Sequence, residues 1–269
     1  MLKHNLPATA WAGVVWAAEG VRGWGRLCGR LGLGLLFPPR CASCDRDLED
    51  SPDDLLLCDE CRQILGPPSW NFCRRCGAEA IPGEPPATCP RCQGQSLHFD
   101  AAISLGHYRG GLRPAVLKMK HRQGETLAAA LAELLVRRRR ADLEAFQPDL
   151  VLPVPMHWWR RLGRGFNSPD LLAQVLARAV GVPWAAGLLT RRRNTLPQMR
   201  LAPSARFKNL RGALRLKAGD AMAGRRVLLV DDILTTGATC SEAARVLKQA
   251  NAAWVGVAVL ARADGTDTI

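Results

Sequence analysis

Val227-Leu228-Leu229-Val230-Asp231-Asp232-Ile233-Leu234-Thr235-Thr236-Gly237-Ala238-Thr239 is the stretch on which the fold turns. Its unbroken apolar run predicts a strand over Arg226 to Val230 that is buried on both faces, as in a parallel sheet covered by helices. Two acids stand where that strand ends, and a short Thr/Gly turn opens into a helix predicted over Cys240 to Gln249. Ligands of open parallel sheets bind at such strand ends. Turn amides and hydroxyls facing a helix N-terminus form a nest for phosphate, and Gly237 permits close backbone approach. The spacing of Thr239 and Glu242 reads as a capping box, so that cap and phosphate nest would coincide.

Paired acids beside a phosphate nest would repel the phosphate unless something lay between them. Ribose hydroxyls, which donate hydrogen bonds to carboxylates, fit that gap, and the implied guest is a ribose 5-phosphate. An Asp-Asp pair alone reads more simply as a solvated strand end. The thirteen-residue string as a whole does not.

Working outward, the text from Asp100 to the C-terminus alternates strands and helices in the manner of an α/β domain. Strands are predicted over Ala102 to Tyr108, Asp149 to Pro153 and Ala253 to Leu260, and helices over Leu112 to Lys120, Thr126 to Arg140 and Pro169 to Val180. Arg137 to Arg140 read as a solvated basic last turn suited to the helix dipole. The loop after the strand at Leu152 carries His157, Arg160, Arg161 and Arg164, forked donors suited to a second phosphate group, although a solvated basic loop has the same composition.

Before Asp100 the pattern is different. Eight of the ten cysteines fall into four Cys-x-x-Cys pairs, Cys41/Cys44, Cys58/Cys61, Cys73/Cys76 and Cys89/Cys92. Two intervening residues let both thiolates converge on one tetrahedral ion at about 2.3 Å. Two structural Zn²⁺ sites with filled coordination follow, with first pair joined to second and third to fourth, or with an interleaved cross-brace as the alternative. A disulfide framework is disfavoured in a chain without a secretion signal, and a redox Cys-x-x-Cys would stand alone beside a βαβ unit. The segment is rich in Pro, Gly and charge and offers little else from which to make a core. Cys28 and Cys240 lie outside the pattern and read as plain small residues.

The expected organisation is a leader over residues 1–37, weakly amphipathic and carrying Trp11, Trp16 and Trp24, then a double zinc ribbon over 38–99 and the α/β domain over 100–269. No apolar run reaches the roughly 18 residues of a membrane span, and no signal peptide is legible, so a cytoplasmic location is expected. Lys and Arg exceed Asp and Glu by 37 to 24, a net charge of +13, which points to anionic partners such as phosphates or nucleic acid.

The thirteen-residue string resembles the phosphoribosyl pyrophosphate signature of type I phosphoribosyltransferases. The wider set narrows the likeness: Phe37-Pro38-Pro39-Arg40-Cys41 and the cysteine pairs, Leu152-Pro153-Val154-Pro155, Arg164-Gly165-Phe166-Asn167, Gln198, Arg206 and Asn209. Together these are similar to ComF-type proteins, with Ser168 standing where that family more often has Gln. The resemblance implies a type I phosphoribosyltransferase fold behind a double zinc ribbon. It also implies that Asp231 and Asp232 hold the ribose 2′ and 3′ hydroxyls, that Leu234, Thr235, Thr236, Gly237, Ala238 and Thr239 cradle the 5′-phosphate, and that Arg160, Arg161 and Arg164 face pyrophosphate. Residues 191–215, with Arg191, Arg192, Arg193, Arg200, Arg206 and Lys208, resemble the mobile hood of that fold. Mg²⁺ would accompany phosphoribosyl pyrophosphate. Three readings follow: transfer of the phosphoribosyl group to an acceptor the sequence does not identify, a competence factor that binds single-stranded DNA and DNA-uptake proteins, with Trp158 and Trp159 as stacking platforms, and a non-catalytic sensor of phosphoribosyl pyrophosphate.

Overall fold

In the computed structural model the strand that ends in the two acids runs over Arg226–Leu234, four residues beyond the predicted end. The described residues are 38–48, 53–68, 71–80, 89–92, 97–121, 123–155, 167–193, 201–217 and 222–263. The leader therefore lies outside them, as does the loop carrying His157, Trp158, Trp159, Arg160, Arg161 and Arg164.

In chain order the elements are α1 (Asp59–Leu65), β1 (Ala101–His107), α2 (Leu112–Lys118), α3 (Glu125–Arg138), α4 (Arg140–Phe146), β2 (Leu150–Pro153) and α5 (Ser168–Val180). Then come β3 (Leu189–Arg191), α6 (Pro203–Leu210), β4 (Leu214–Leu216), β5 (Arg226–Leu234), α7 (Ala238–Gln249) and β6 (Trp254–Arg262). A parallel sheet in the order β1-β6-β5-β2 forms the centre, so the acid-bearing strand β5 is flanked on both edges. β3 and β4 make a separate antiparallel pair.

Strand residues alternate between two cores, as the period of two requires. On one face Ile103, Leu105, Val151, Leu228, Val230 and Leu260 pack with α3 and α5. On the other, Ala102, Leu152, Val227, Leu229, Val257 and Val259 pack against Cys240, Ala243, Ala244 and Leu247 of α7. At their amino ends the strands are tied by carboxylates. Asp100 Oδ2 accepts the Val255 N–H and pairs with Lys248 Nζ, each at 2.7 Å, and Asp149 Oδ2 accepts the Arg226 N–H at 2.7 Å.

The cysteine segment does not make its core alone. Leu55, Leu57 and Leu65 join the first core beside Leu105 and Leu134, whereas Leu97 and Phe99 join the second. At about 1.5–3 kcal/mol for each fully buried leucine, this shared packing is a second source of order beside the metal sites, one that the composition of the segment did not disclose. The segment also covers the outer edge of β1, which a parallel sheet would otherwise expose. The Ala102 N–H donates to Arg74 O at 2.8 Å, and Arg139 Nε donates to Ser104 O at 2.8 Å with its guanidinium 4.9 Å from the Phe72 ring centroid.

The basic turn is thus not the solvated feature expected. Arg139 is 5% exposed, because the chain breaks between α3 and α4 and turns that side chain inward. Arg137 pairs with Asp53, and Arg140 pairs with Glu144 on the surface. Arg139→Ala should therefore cost about 2 kcal/mol and lower Tm by about 4–8 °C in scanning calorimetry. Arg140→Ala should shift stability by less than about 0.5 kcal/mol.

Candidate functional site

β5 has buried neighbours on both edges through Val230, and its last residues emerge at the carboxyl end of the sheet. There Asp231 and Asp232 are part-buried, and Asp231 Oδ1 accepts the Asp232 N–H at 2.8 Å. Burial first, and then the adjacent Asp232 charge, pushes the Asp231 carboxyl well above the usual carboxylate range. Asp232 has a partner that no sequence motif announced: Lys120 Nζ lies 2.7 Å from its Oδ2, and both side chains are largely buried. Lys120 stands two residues after α2, in a turn whose destination becomes visible only once β1 and β5 are placed in one sheet. The result is a compact cluster of two carboxylates and one ammonium.

The chain then turns through Thr235 and Thr236 to Gly237, whose φ of +79° begins α7. A side chain there would be strained by that φ, and its Cβ would lie 3.2 Å from Leu97 Cδ2. Thr236 Oγ1 accepts the Ala238 N–H at 3.4 Å. The predicted capping box is absent: α7 begins at Ala238 with Gly237 as its cap and no side-chain capping bond. Glu242 instead accepts the Gly212 N–H at 2.7 Å and pairs with Arg245, because Gly237 already reverses the chain and leaves that carboxylate to anchor the β3–β4 segment. The first amides of a twelve-residue helix therefore border the Thr/Gly turn without a carboxylate capping them.

The structure brings together Asp231, Asp232, Leu234, Thr235, Thr236, Gly237, Ala238 and Thr239 at one strand end. Arg160, Arg161, Arg164, Gln198 and Arg200 lie outside the described residues. Of the expected hood, the described part is built rather than featureless. β3 and β4 pair, Arg191 Nε donates to Pro155 O at 3.2 Å, and Arg193 Nη2 donates to the Asn209 and Arg211 carbonyls at 2.9 Å each. Arg206 is buried and donates to Leu201 O. Cys240, the small residue expected, sits under the acids in α7, where burial and then the charges of Asp231 and Asp232 keep its thiol protonated.

Eight cysteines form two groups, Cys41/Cys44/Cys58/Cys61 and Cys73/Cys76/Cys89/Cys92, each with its sulfur atoms within 4.8 Å of one another. The sequential pairing is therefore the one observed. Sulfur separations of 3.8 Å for Cys44–Cys58 and 3.7 Å for Cys73–Cys92 and Cys76–Cys89 match the roughly 3.8 Å edge of a tetrahedron with about 2.3 Å metal–sulfur bonds. The donor sets fit Zn²⁺. Each group rests on a similar turn: Asp45 (φ 61°) and Gly77 (φ 70°) follow the second cysteine, and their N–H groups donate to Cys41 O and Cys73 O. Burial raises the Cys41 thiol, but the N–H groups of Cys44, Cys58 and Ser43 outweigh it and bring it to about 7, whereas burial first and then the neighbouring Cys58 thiol push Cys61 up.

Two consequences are measurable. Purified reduced protein should carry two zinc ions per chain by inductively coupled plasma mass spectrometry, and one after Cys44→Ser/Cys58→Ser. At Asp231 the raised pKa means that the folded chain favours the protonated acid, a contribution complete at low pH and lost as pH rises through the folded value. Asp231→Asn should accordingly raise Tm at pH 7 by about 2–4 °C, and the gap should close as pH is lowered.

A family model for double zinc ribbon domains matches residues 32–93, and one for phosphoribosyl transferase domains matches residues 171–268. DNA utilization protein YhgH of Salmonella typhi is 34% identical over 225 residues, covering 77% of this chain and 96% of its own. Competence protein F of Haemophilus influenzae is 30% identical over 231 residues, covering 84% and 98%. Among solved structures, the glutamine phosphoribosylpyrophosphate (PRPP) amidotransferase from B. subtilis aligns over 54% of this chain and 30% of its own at 22% identity, with a TM-score of 0.36, too slight to add to the sheet described above. The ribbon, the domain behind it and the near-complete coverage of both relatives agree, and the chain belongs to the ComF family of proteins that join a double zinc ribbon to a phosphoribosyltransferase domain.

Proposed function

We propose that the chain binds phosphoribosyl pyrophosphate at the carboxyl end of β5 and transfers its phosphoribosyl group to an acceptor. The observation that carries this reading is the juxtaposition of two carboxylates, at the end of a strand flanked on both edges, with a turn that enters a helix at a positive-φ glycine. Ribose hydroxyls would donate to Asp231 and Asp232, and the 5′-phosphate would accept from the amides and hydroxyls of Leu234 to Thr239. Lys120 is the ammonium that balances the acids until a ligand engages Asp232.

In the transfer, a nucleophile forms a bond to ribose C1′ as the bond from C1′ to pyrophosphate breaks. Pyrophosphate leaves with the electron pair, and the nucleophile gives up its proton. Arg160, Arg161 and Arg164 are the groups assigned to the leaving pyrophosphate, where forked donors stabilise developing negative charge. Mg²⁺ held with the ligand near Asp231 and Asp232 would neutralise the leaving group. The chain supplies positioning and charge rather than covalent chemistry.

The names of the relatives, DNA utilization protein and competence protein, support a second role in handling DNA, which is compatible with the first in one molecule. Calorimetric titration of phosphoribosyl pyrophosphate with Mg²⁺ tests the primary reading. Wild type should bind, and Asp231→Asn/Asp232→Asn should lose at least about tenfold in affinity, equivalent to roughly 1.4 kcal/mol. No heat with folded, zinc-loaded wild type would overturn it, and salt-sensitive binding of an oligonucleotide unaffected by the double substitution would move the function to the second role.

A further inference from the structure

The second cysteine group lies closer to the candidate site than a folding module needs to. Cys76 O accepts a hydrogen bond from Arg262 Nε at 3.0 Å, and the same guanidinium donates through Nη1 to Leu234 O at 2.8 Å and to Thr235 O. Arg262 is 4% exposed and ends β6, in register with Leu234 on one side and His107 on the other. Its fork thus spans from a metal-binding turn to the first two residues of the loop that follows the acids. Beside it, Gly77 lies against the same groups: a Cβ there would be 3.8 Å from both Arg262 Cδ and Leu234 Cδ2.

A second path starts one residue earlier. Arg75 Nη2 donates to Leu97 O at 2.6 Å, with its guanidinium 5.6 Å from the Phe99 ring centroid. Leu97 and Phe99 are the residues that close over Gly237, and the His98 N–H between them donates to Ser241 Oγ in the first turn of α7 at 3.1 Å. Both ends of the Thr/Gly loop are therefore held by groups whose positions depend on the Cys73–Gly77 turn. Within the group itself Cys73 and Cys76 are 4% and 2% exposed, whereas Cys89 and Cys92 are only part-buried. The inner pair is fixed to the sheet and the outer pair is the accessible half. The first group has no comparable path among the described contacts: its turn reaches α2 through Lys118 Nζ, a half-exposed side chain 2.9 Å from Ser43 O.

We propose that Arg262 is a positioning residue that makes the Leu234–Gly237 loop depend on the closed second cysteine group, so that metal occupancy at Cys73, Cys76, Cys89 and Cys92 controls affinity for a ribose-phosphate ligand at that loop. Closed, the turn presents the Cys76 carbonyl to Arg262 and keeps Leu97 and Phe99 against Gly237. Opened, it withdraws both supports while β5 and β6 stay paired through their own ladder. The ligand half of this proposal rests on the function proposed above, and the loop half does not.

The test is hydrogen exchange by mass spectrometry on peptides covering residues 229–240, with zinc content measured on the same samples and phosphoribosyl pyrophosphate with Mg²⁺ titrated by calorimetry. In Cys89→Ser/Cys92→Ser, with one zinc ion retained, loop amides should exchange about tenfold faster and affinity should fall about tenfold, while β5 and β6 amides keep wild-type protection. Arg262→Lys keeps the charge but not the fork. It should retain both zinc ions and show the same loop exchange, which separates positioning from metal binding even if the cysteine variant fails to fold. Cys44→Ser/Cys58→Ser should leave loop exchange within about twofold of wild type. Unchanged loop exchange in Arg262→Lys, or equal acceleration from loss of the first group, overturns the proposal. Should wild type bind no ligand, the functional reading fails, and loop exchange still decides the coupling.

Discussion

The pairing of β5 with β6 is the constraint on which the rest of the molecule depends. The ladder runs from Arg226–Trp254 to Leu234–Arg262, and the strands beyond it, β2 and β1, attach to its two sides. With helices packed on both faces, the exit point of the β5 backbone has little freedom, because close-packed interiors resist small displacements. Two acidic side chains are then delivered to the carboxyl end of the sheet in a fixed relation to the N-terminus of α7. The cost is legible at Asp231, which is held against its own tendency to ionise by burial and by its neighbour. A group poised in that way gains most from a partner that brings hydroxyl donors or positive charge, a cost in stability that function can justify.

The same sheet explains the shape of the cysteine segment. β1 is an edge strand, and its outer side carries polar groups that would invite pairing with another chain. The segment covers that edge and sends one cysteine group to each face, Cys41 and Cys61 into the core with α3 and α5, and Cys73 and Cys76 into the core with α7. Two similar turns, each a Cys-x-x-Cys followed by a positive-φ residue, thereby acquire different neighbours. Equivalent in sequence, the groups are inequivalent in position, and only the second abuts the strand end that carries the acids.

How much of this the sequence disclosed varies with the range of the interaction. The central strands, α7 and the cysteine groups were legible, because four apolar residues before two acids and a two-residue thiol spacing are local signals with direct geometric meaning. The helix α1, the break between α3 and α4 and the β3–β4 pair were not read, since each is short and is fixed by what it packs against rather than by its own period. Glu242 misled for a related reason: three residues after Thr239 it has the spacing of a capping box, but the nearby Gly212 N–H competes for it. Lys120 and Arg262 carried no signal at all. Their importance lies in contacts with Asp232 and with Leu234 and Cys76, more than one hundred residues away along the chain in the first case and, for Cys76, in the second.

The formal charge of +13 has to be reinterpreted in that light. Many arginines here serve as caps on backbone carbonyls: Arg62 to Leu57, Arg75 to Leu97, Arg139 to Ser104, Arg193 to Asn209, Arg206 to Leu201, Arg226 to Phe146 and Arg262 to Leu234. Arg139, Arg206 and Arg262 are nearly inaccessible to solvent. A guanidinium suits such places because its planar fork reaches two carbonyls at once and it sheds water more readily than an ammonium. The charge is therefore only in part a field projected at a partner, and counting Lys and Arg overstates the surface available to nucleic acid. At the carboxyl end of β5 the local field is set instead by a few groups, the first α7 amides and Lys120, beside two acids that no net charge would have predicted.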